Sequence, residues 1–166
     1  MAKKPKQSKT LPIYILNGPN LNLLGHREPE VYGYTTLAEI EKMCADQAKR
    51  HGIAIVFRQS NREGEIVDHL QEARTSGSAV IINPAGYGHT SIAILDSIQA
   101  LKIPVIEVHL SNLAKRETYR HHSYVSKGAT GIVMGLGAQG YLRAVDAIAE
   151  ILAPSSKKLV SKRRSK

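Results

Sequence analysis

Apolar residues along this chain fall into two patterns that alternate from Ile13 to Leu152. Residues 13–16, 53–57, 79–82, 105–108 and 131–134 are short, nearly unbroken apolar runs, the signature of strands covered on both faces. Between the runs the spacing changes to that of a helix. Leu37, Ile40, Met43, Cys44 and Ala48 share one face, as do Ile66, Val67, Leu70 and Ala73. Ile92, Leu95, Ile98 and Leu101 form a third such set, and Leu142, Val145, Ile148 and Leu152 a fourth. Gly52 and Gly77 close the first two helices, and residues 60–63, Ser-Asn-Arg-Glu, offer N-cap candidates with a capping box.

Strands alternating with helices predict an α/β fold with a parallel sheet. At 166 residues a barrel of eight units is excluded, and a flavodoxin-like doubly wound five-stranded sheet of order 2-1-3-4-5 fits. The domain spans 11–153, with basic, flexible tails at 1–10 and 154–166. In such a sheet ligands bind beyond the carboxyl ends of the strands. The exit loops there, 17–33, 83–90 and 107–123, are also the segments richest in reactive side chains.

The first of these loops is far too long for a simple connection, since about two to six residues usually suffice. It carries three glycines, two prolines, three asparagines, one arginine and one tyrosine, which suits a catalytic lid. A free tyrosine has a pKa near ~10 and is a poor base at neutral pH. Arg27, five residues before Tyr32, can lower it by favouring the phenolate. In the loop after the fourth strand, Glu107 and His109 lie two apart and share a face, so the carboxylate can orient the imidazole as a general acid. The backbone of Leu110 and Ser111, with Asn83 on the neighbouring strand, can bind a carboxylate. His89 and Asp96 can hydrogen-bond a polyol, and Arg116 and Arg120 are four apart.

Charge changes little. The net +9 resides in the tails, where residues 1–9 hold four lysines and residues 157–166 six basic residues, leaving 13 basic against 14 acidic residues in the body. No aromatic residue interleaves with the tail charges for base stacking, so no specific nucleic-acid partner is expected. One cysteine and no membrane-spanning or signal-like apolar run indicate a reducing, cytoplasmic setting. The 135–140 segment spells G-x-G-x-x-G, but no further strand follows and no acidic residue stands about twenty positions on, as a dinucleotide site requires, so it is read as a tight strand-to-helix turn. His109, His121 and His122 fit no metal-ligand spacing, and no cofactor is expected.

The motifs N-G-P-N-L-N-L-L-G-x-R-E-P-x-x-Y-G, Q-S-N-x-E-G-E, N-P-A-G-Y-x-H-T-S, I-E-V-H-L-S-N and G-L-G-A-Q-G-Y occur in that order. Together they resemble the type II 3-dehydroquinate dehydratases over roughly residues 11–152. The resemblance implies a cofactor-free hydro-lyase that converts 3-dehydroquinate to 3-dehydroshikimate by anti elimination through an enolate, on the shikimate route to chorismate and aromatic amino acids. It implies a homododecamer built as four trimers. By the same resemblance Tyr32 is the base, Arg27 tunes it from the lid, and Asn20 holds the water that stabilises the enolate. His109 is the acid, supported by Glu107. Asn83, Leu110 and Ser111 bind the substrate carboxylate, His89 and Arg120 the ring hydroxyls, and Asp96 reaches a neighbouring subunit's site. Arg116 sits near Tyr32 and adds positive field. Gly88 departs from the family's usual Thr or Ser, which puts the firmness of the His89 loop in question. A flavin- or nucleotide-binding module is the rival on the same fold, but Gly18-Pro19-Asn20 lacks the Ser/Thr-rich character of a phosphate loop.

Overall fold

A computed structural model describes residues 10–26, 30 and 33–154. Except for Thr10 and Pro154 the basic tails lie outside the described residues, as do Arg27 and Tyr32. Five strands, β1 (Ile13–Asn17), β2 (Ile55–Gln59), β3 (Ala79–Asn83), β4 (Val105–His109) and β5 (Gly131–Met134), form one sheet. Its order is β2-β1-β3-β4-β5 and every pairing is parallel. The doubly wound topology read from the sequence is therefore the one observed. Among the described residues, α1 (Leu37–Arg50), α2 (Glu63–Ser76) and α3 (Ile92–Gln99) connect successive strands from β1 to β4, and α4 (Gln139–Leu152) follows β5.

The inner strands are apolar except at Glu107 and at their polar C-terminal residues, because side chains alternate between two helical layers. Ile13, Ile15, Ile81 and Val108 face Ile40 and Cys44 of α1 and Tyr141 and Val145 of α4. Tyr14, Leu16, Val80, Ile82 and Val105 face Ile66 and Leu70 of α2 and Ile94 and Ile98 of α3. Each fully buried Ile or Leu contributes about 1.5–3 kcal/mol of hydrophobic stabilisation. Cys44 is wholly enclosed in the first layer, and burial, with a smaller push from Glu41, raises its thiol pKa to about 12.

Three local details differ from the sequence reading. The second strand starts at Ile55 rather than 53. The Ile53 N–H still donates to the Ala48 carbonyl at 3.0 Å, so residues 53–54 complete the turn out of α1. The capping box is at Thr36 and Glu39, where α1 begins. At the start of α2 the Ser60 hydroxyl instead accepts from the Arg62 N–H at 2.9 Å and donates to Glu65, so the box expected over 60–63 does not form. In α3 the buried pair is Ile94 and Ile98, while Ile92 in the first turn is 57% exposed. The phase of that helix is set by the Ser91 N-cap, whose hydroxyl accepts from the Ile94 N–H at 2.9 Å.

Candidate active site

The ends of β1, β3 and β4 open into a cleft of about 140 Å³. It is lined by residues 19–24, 83–89 and 109–120, so the described parts of the three exit loops do converge. Two of them are joined at their roots. The Gly18 N–H donates to the Asn83 carbonyl at 2.8 Å, and a Cβ at Gly18 would overlap the Pro84 carbonyl, which makes glycine necessary there. Asn20 follows in the left-handed region with φ 66°. Its N–H is held by the Asn61 Oδ1 at 2.8 Å. Asn61 also takes a hydrogen bond from Gln59 at 3.1 Å, and its carbonyl accepts from the Tyr87 hydroxyl at 2.8 Å. It thus ties the fixed base of the long loop to the ends of β2 and β3.

At the end of β4, Glu107 and His109 point to the same face, as alternation requires. His109 Nε2 lies 2.7 Å from Glu107 Oε1. An ionised carboxylate only accepts, so Nε2 carries the proton and Nδ1 is the nitrogen left to meet a ligand. Glu107 is 0% exposed and His109 5%. Burial is the largest influence on Glu107 and pushes its pKa up. Hydrogen bonds from His109, Ser123 and Ser126, with the His109 charge, outweigh it and hold the carboxyl below its ordinary value. The carboxylate is therefore ionised in the folded chain at pH values where an unfolded one is protonated. Its contribution to stability is complete above the ordinary glutamate value of 4.5 and is lost as pH falls through the lower folded value. Glu107→Gln is expected to flatten the acid side of the stability curve in urea melts, and an unchanged slope there would contradict this assignment.

His89 stacks beside His109, with ring centroids 6.4 Å apart. Its Nδ1–H donates to the His122 carbonyl at 2.7 Å, leaving Nε2 as an acceptor. Burial lowers the His89 pKa, the His122 carbonyl opposes that, and the positive charges of His109 and Arg120 lower it further. A neutral imidazole suited to a hydroxyl group results. Arg116 Nη1 donates to the Ser111 hydroxyl at 3.1 Å. Arg116 and Arg120 both reach Glu117, at 3.4 and 2.9 Å, and both line the cleft. The cleft floor is thus cationic beside Ser111, a setting for an anionic substrate group.

Asn83 lines the cleft, but most of its amide is already engaged. Its Nδ2 donates to the Tyr141 hydroxyl at 2.9 Å, and its Oδ1 accepts from the Ala85 N–H at 3.2 Å. Tyr141 in turn donates to the Asn17 Oδ1 at 2.6 Å. The second Nδ2 proton is what Asn83 can offer a ligand. Burial raises the Tyr141 pKa, with the Asn83 hydrogen bond opposing it less strongly, so this phenol is a structural donor. Tyr141→Phe would strand two buried amides at the strand ends and is expected to cost about 1–3 kcal/mol. A melting temperature several degrees lower checks it, and an unchanged one would contradict it.

A family model for the class II dehydroquinases matches residues 11–149. This chain belongs to that family. The 3-dehydroquinate dehydratase of Phenylobacterium zucineum is 59% identical over 138 residues, which is 83% of this chain and 95% of that protein. That of Streptomyces coelicolor is 52% identical over 153 residues, 92% of this chain and 98% of that one. The crystal structure of type II dehydroquinase from Propionibacterium acnes superimposes with a TM-score of 0.82 at 41% identity, covering 86% of this chain and 97% of that one.

In this class II dehydroquinase the described site residues Asn20, Asn83, His89, His109, Leu110, Ser111, Arg116 and Arg120 all border one cleft, with Glu107 behind His109. Asp96 does not join them, lying exposed on α3. The place of Arg116 next to Ser111 is seen, whereas its expected neighbour Tyr32 is outside the described residues. The loop that carries His89 is anchored without a side chain at Gly88. The Tyr124 N–H donates to the Gly88 carbonyl at 2.8 Å, and a Cβ at Gly88 would press on the Pro84 ring at 2.9 Å. Gly135 and Gly137 have φ of 87° and 56° and donate to the His109 and Leu110 carbonyls at 3.2 and 2.9 Å, so that motif is a turn that braces the end of β4. Asn61, Ser123, Ser126 and Tyr141 were not singled out by sequence pattern for these roles. Their partners are 16 to 124 residues away along the chain, where no local spacing announces them.

Proposed function

We propose that this chain is a 3-dehydroquinate dehydratase that expels water by anti elimination through an enolate, needing no cofactor. The observation that carries the reading is the buried Glu107–His109 pair facing a cationic cleft in a chain of this family. Tyr32, with its pKa lowered by Arg27, takes a proton from C2 of the substrate. The electrons move onto the C3 carbonyl oxygen, where a water held by Asn20 stabilises the enolate. Collapse of the enolate forms the C1–C2 double bond and breaks the C1–O bond. The imidazolium of His109 gives its proton to the departing hydroxyl, which leaves as water, and Glu107 stabilises that imidazolium beforehand.

The substrate carboxylate fits the backbone of Leu110 and Ser111 with the remaining Asn83 proton. Ring hydroxyls fit His89 and Arg120, and Arg116 adds positive field. An anti elimination needs base and acid on opposite faces of the substrate ring, and this reading assigns the base to the long loop and the acid to β4. The product carries a double bond conjugated to both ketone and carboxylate, so its formation from 3-dehydroquinate can be followed by absorbance. Steady growth of that absorbance with the purified chain is expected, and none would refute the reading.

The same reading makes the enzyme a cytoplasmic member of the shikimate route and a homododecamer of four trimers. Among the described residues no helix is long and apolar enough to cross a membrane. Assembly is supported by the edge strand β5, which leaves Ile132 and Met134 50% and 44% exposed, with Leu136 beside them at 54%. An apolar sheet edge of this kind is a surface that subunit contact would cover. Asp96 would then act from a neighbouring subunit.

A further inference from the structure

Glu107 occupies a position where the fold otherwise places apolar side chains. Its register partner on β3 is Ile82, and Val105 precedes it on the same face of β4. A carboxylate at such a position is costly unless its lone pairs are filled. His109 supplies one donor. The other two come from a segment the strands do not contain. The Ser123 hydroxyl donates to Glu107 Oε1 at 2.6 Å, and the Ser126 hydroxyl donates to Oε2. Both carboxylate oxygens are thus engaged, and Oε1 takes the Ser123 and His109 protons together.

The segment that brings these serines is itself fixed. Val125, between them, is fully buried in the layer with Ile94 and Ile98 of α3. At Gly128 a Cβ would meet the Ile98 side chain at 2.8 Å, so the backbone there lies directly on the helix. The Tyr124 N–H is tied to the Gly88 carbonyl. The hydroxyls are therefore held in place against Glu107.

We propose that Ser123 and Ser126 are positioning residues that act through Glu107 on the acid His109, a role resting on the dehydratase reading above. By keeping the carboxylate ionised and in one orientation, they keep the His109 Nε2–H engaged and stabilise the imidazolium that must donate a proton. Without them only the His109 hydrogen bond and charge oppose burial, so the Glu107 pKa rises and its carboxylate is a weaker counter-charge for the imidazolium. Of the other titratable groups, His89 in the 85–89 turn stacks beside His109 and Arg120 in the 118–120 turn bears on His89; their own hydrogen bonds go to the His122 carbonyl and to Glu117.

The test uses the full-length chain with Ser123→Ala, Ser126→Ala, the double variant, and Ser123→Thr, which restores a hydroxyl. The readouts are kcat and KM for 3-dehydroquinate across pH and the His109 titration by nitrogen-15 NMR without substrate. The double variant is expected to lose about tenfold or more in kcat with KM within about threefold. Its alkaline limb and the His109 midpoint should both move down by about one unit, and Ser123→Thr should keep the wild-type midpoint. A His109 midpoint equal to wild type in the alanine variants overturns the proposal, whether or not kcat falls. Should the double variant unfold, the single variants carry the same reading. A wild-type chain that leaves 3-dehydroquinate unchanged would refute the function, while the NMR midpoint still decides the role of the serines.

Discussion

Replacing His109 by alanine lowers kcat on 3-dehydroquinate by about 10²–10⁴-fold, the range over which a positioned general acid contributes. The C1 hydroxyl is a poor leaving group unless it is protonated as the C–O bond breaks, and His109 is the only titratable side chain at the end of β4 that both reaches the cleft and has a buried carboxylate behind it. KM should change much less, because the carboxylate and hydroxyl contacts assigned to Ser111, Arg120 and His89 remain. The alanine leaves Glu107 with its two serine donors, so the variant should fold. Near-wild-type kcat in a folded His109→Ala protein would remove the acid assignment.

A loss of similar or larger size is expected from Tyr32→Phe, which deletes the phenolic oxygen that accepts the C2 proton. Tyr32 lies outside the described residues, and its role as base rests on its chemistry and on the family resemblance. A tyrosine reaches useful basicity near pH 7 only if its pKa falls from ~10, and each unit of that shift requires about 1.4 kcal/mol of differential stabilisation. Arg27 is assigned to provide it. Tyr32→Phe should therefore bind substrate normally, with turnover near background. Arg27→Ala should keep the base but displace its pKa upward, moving the pH optimum to the alkaline side. Full turnover in Tyr32→Phe would refute the base, and an unmoved optimum in Arg27→Ala would refute the tuning.

Much of this molecule is legible in its sequence because burial on both sides leaves a simple mark. β1 and β3 read as apolar runs up to their terminal asparagines, β4 is interrupted at Glu107, and their spacing with four helices leaves few topologies. The Glu107–His109 pair is legible for a related reason, since two residues apart on any strand share a face. Helix phase is harder. Ile92 and Leu95 make as good a stripe as Ile94 and Ile98, and the Ser91 cap selects between them. Least legible are contacts made only by tertiary structure. Nothing local to Ser126 indicates that it meets Glu107, and nothing in α4 marks Tyr141 as the residue that joins Asn17 and Asn83. These contacts support the site from behind, so they carry no reactive motif of their own.

This chain is expected to dehydrate 3-dehydroquinate with its own side chains alone. The most direct measurement follows the conjugated enone carboxylate formed by the purified protein after exhaustive dialysis against EDTA and pretreatment with borohydride in the presence of substrate. The expected rate is that of the untreated protein, because an acid–base pair needs neither a metal nor an imine. Loss of activity on borohydride treatment would indicate a lysine Schiff base, loss on EDTA treatment a metal, and either would contradict the mechanism.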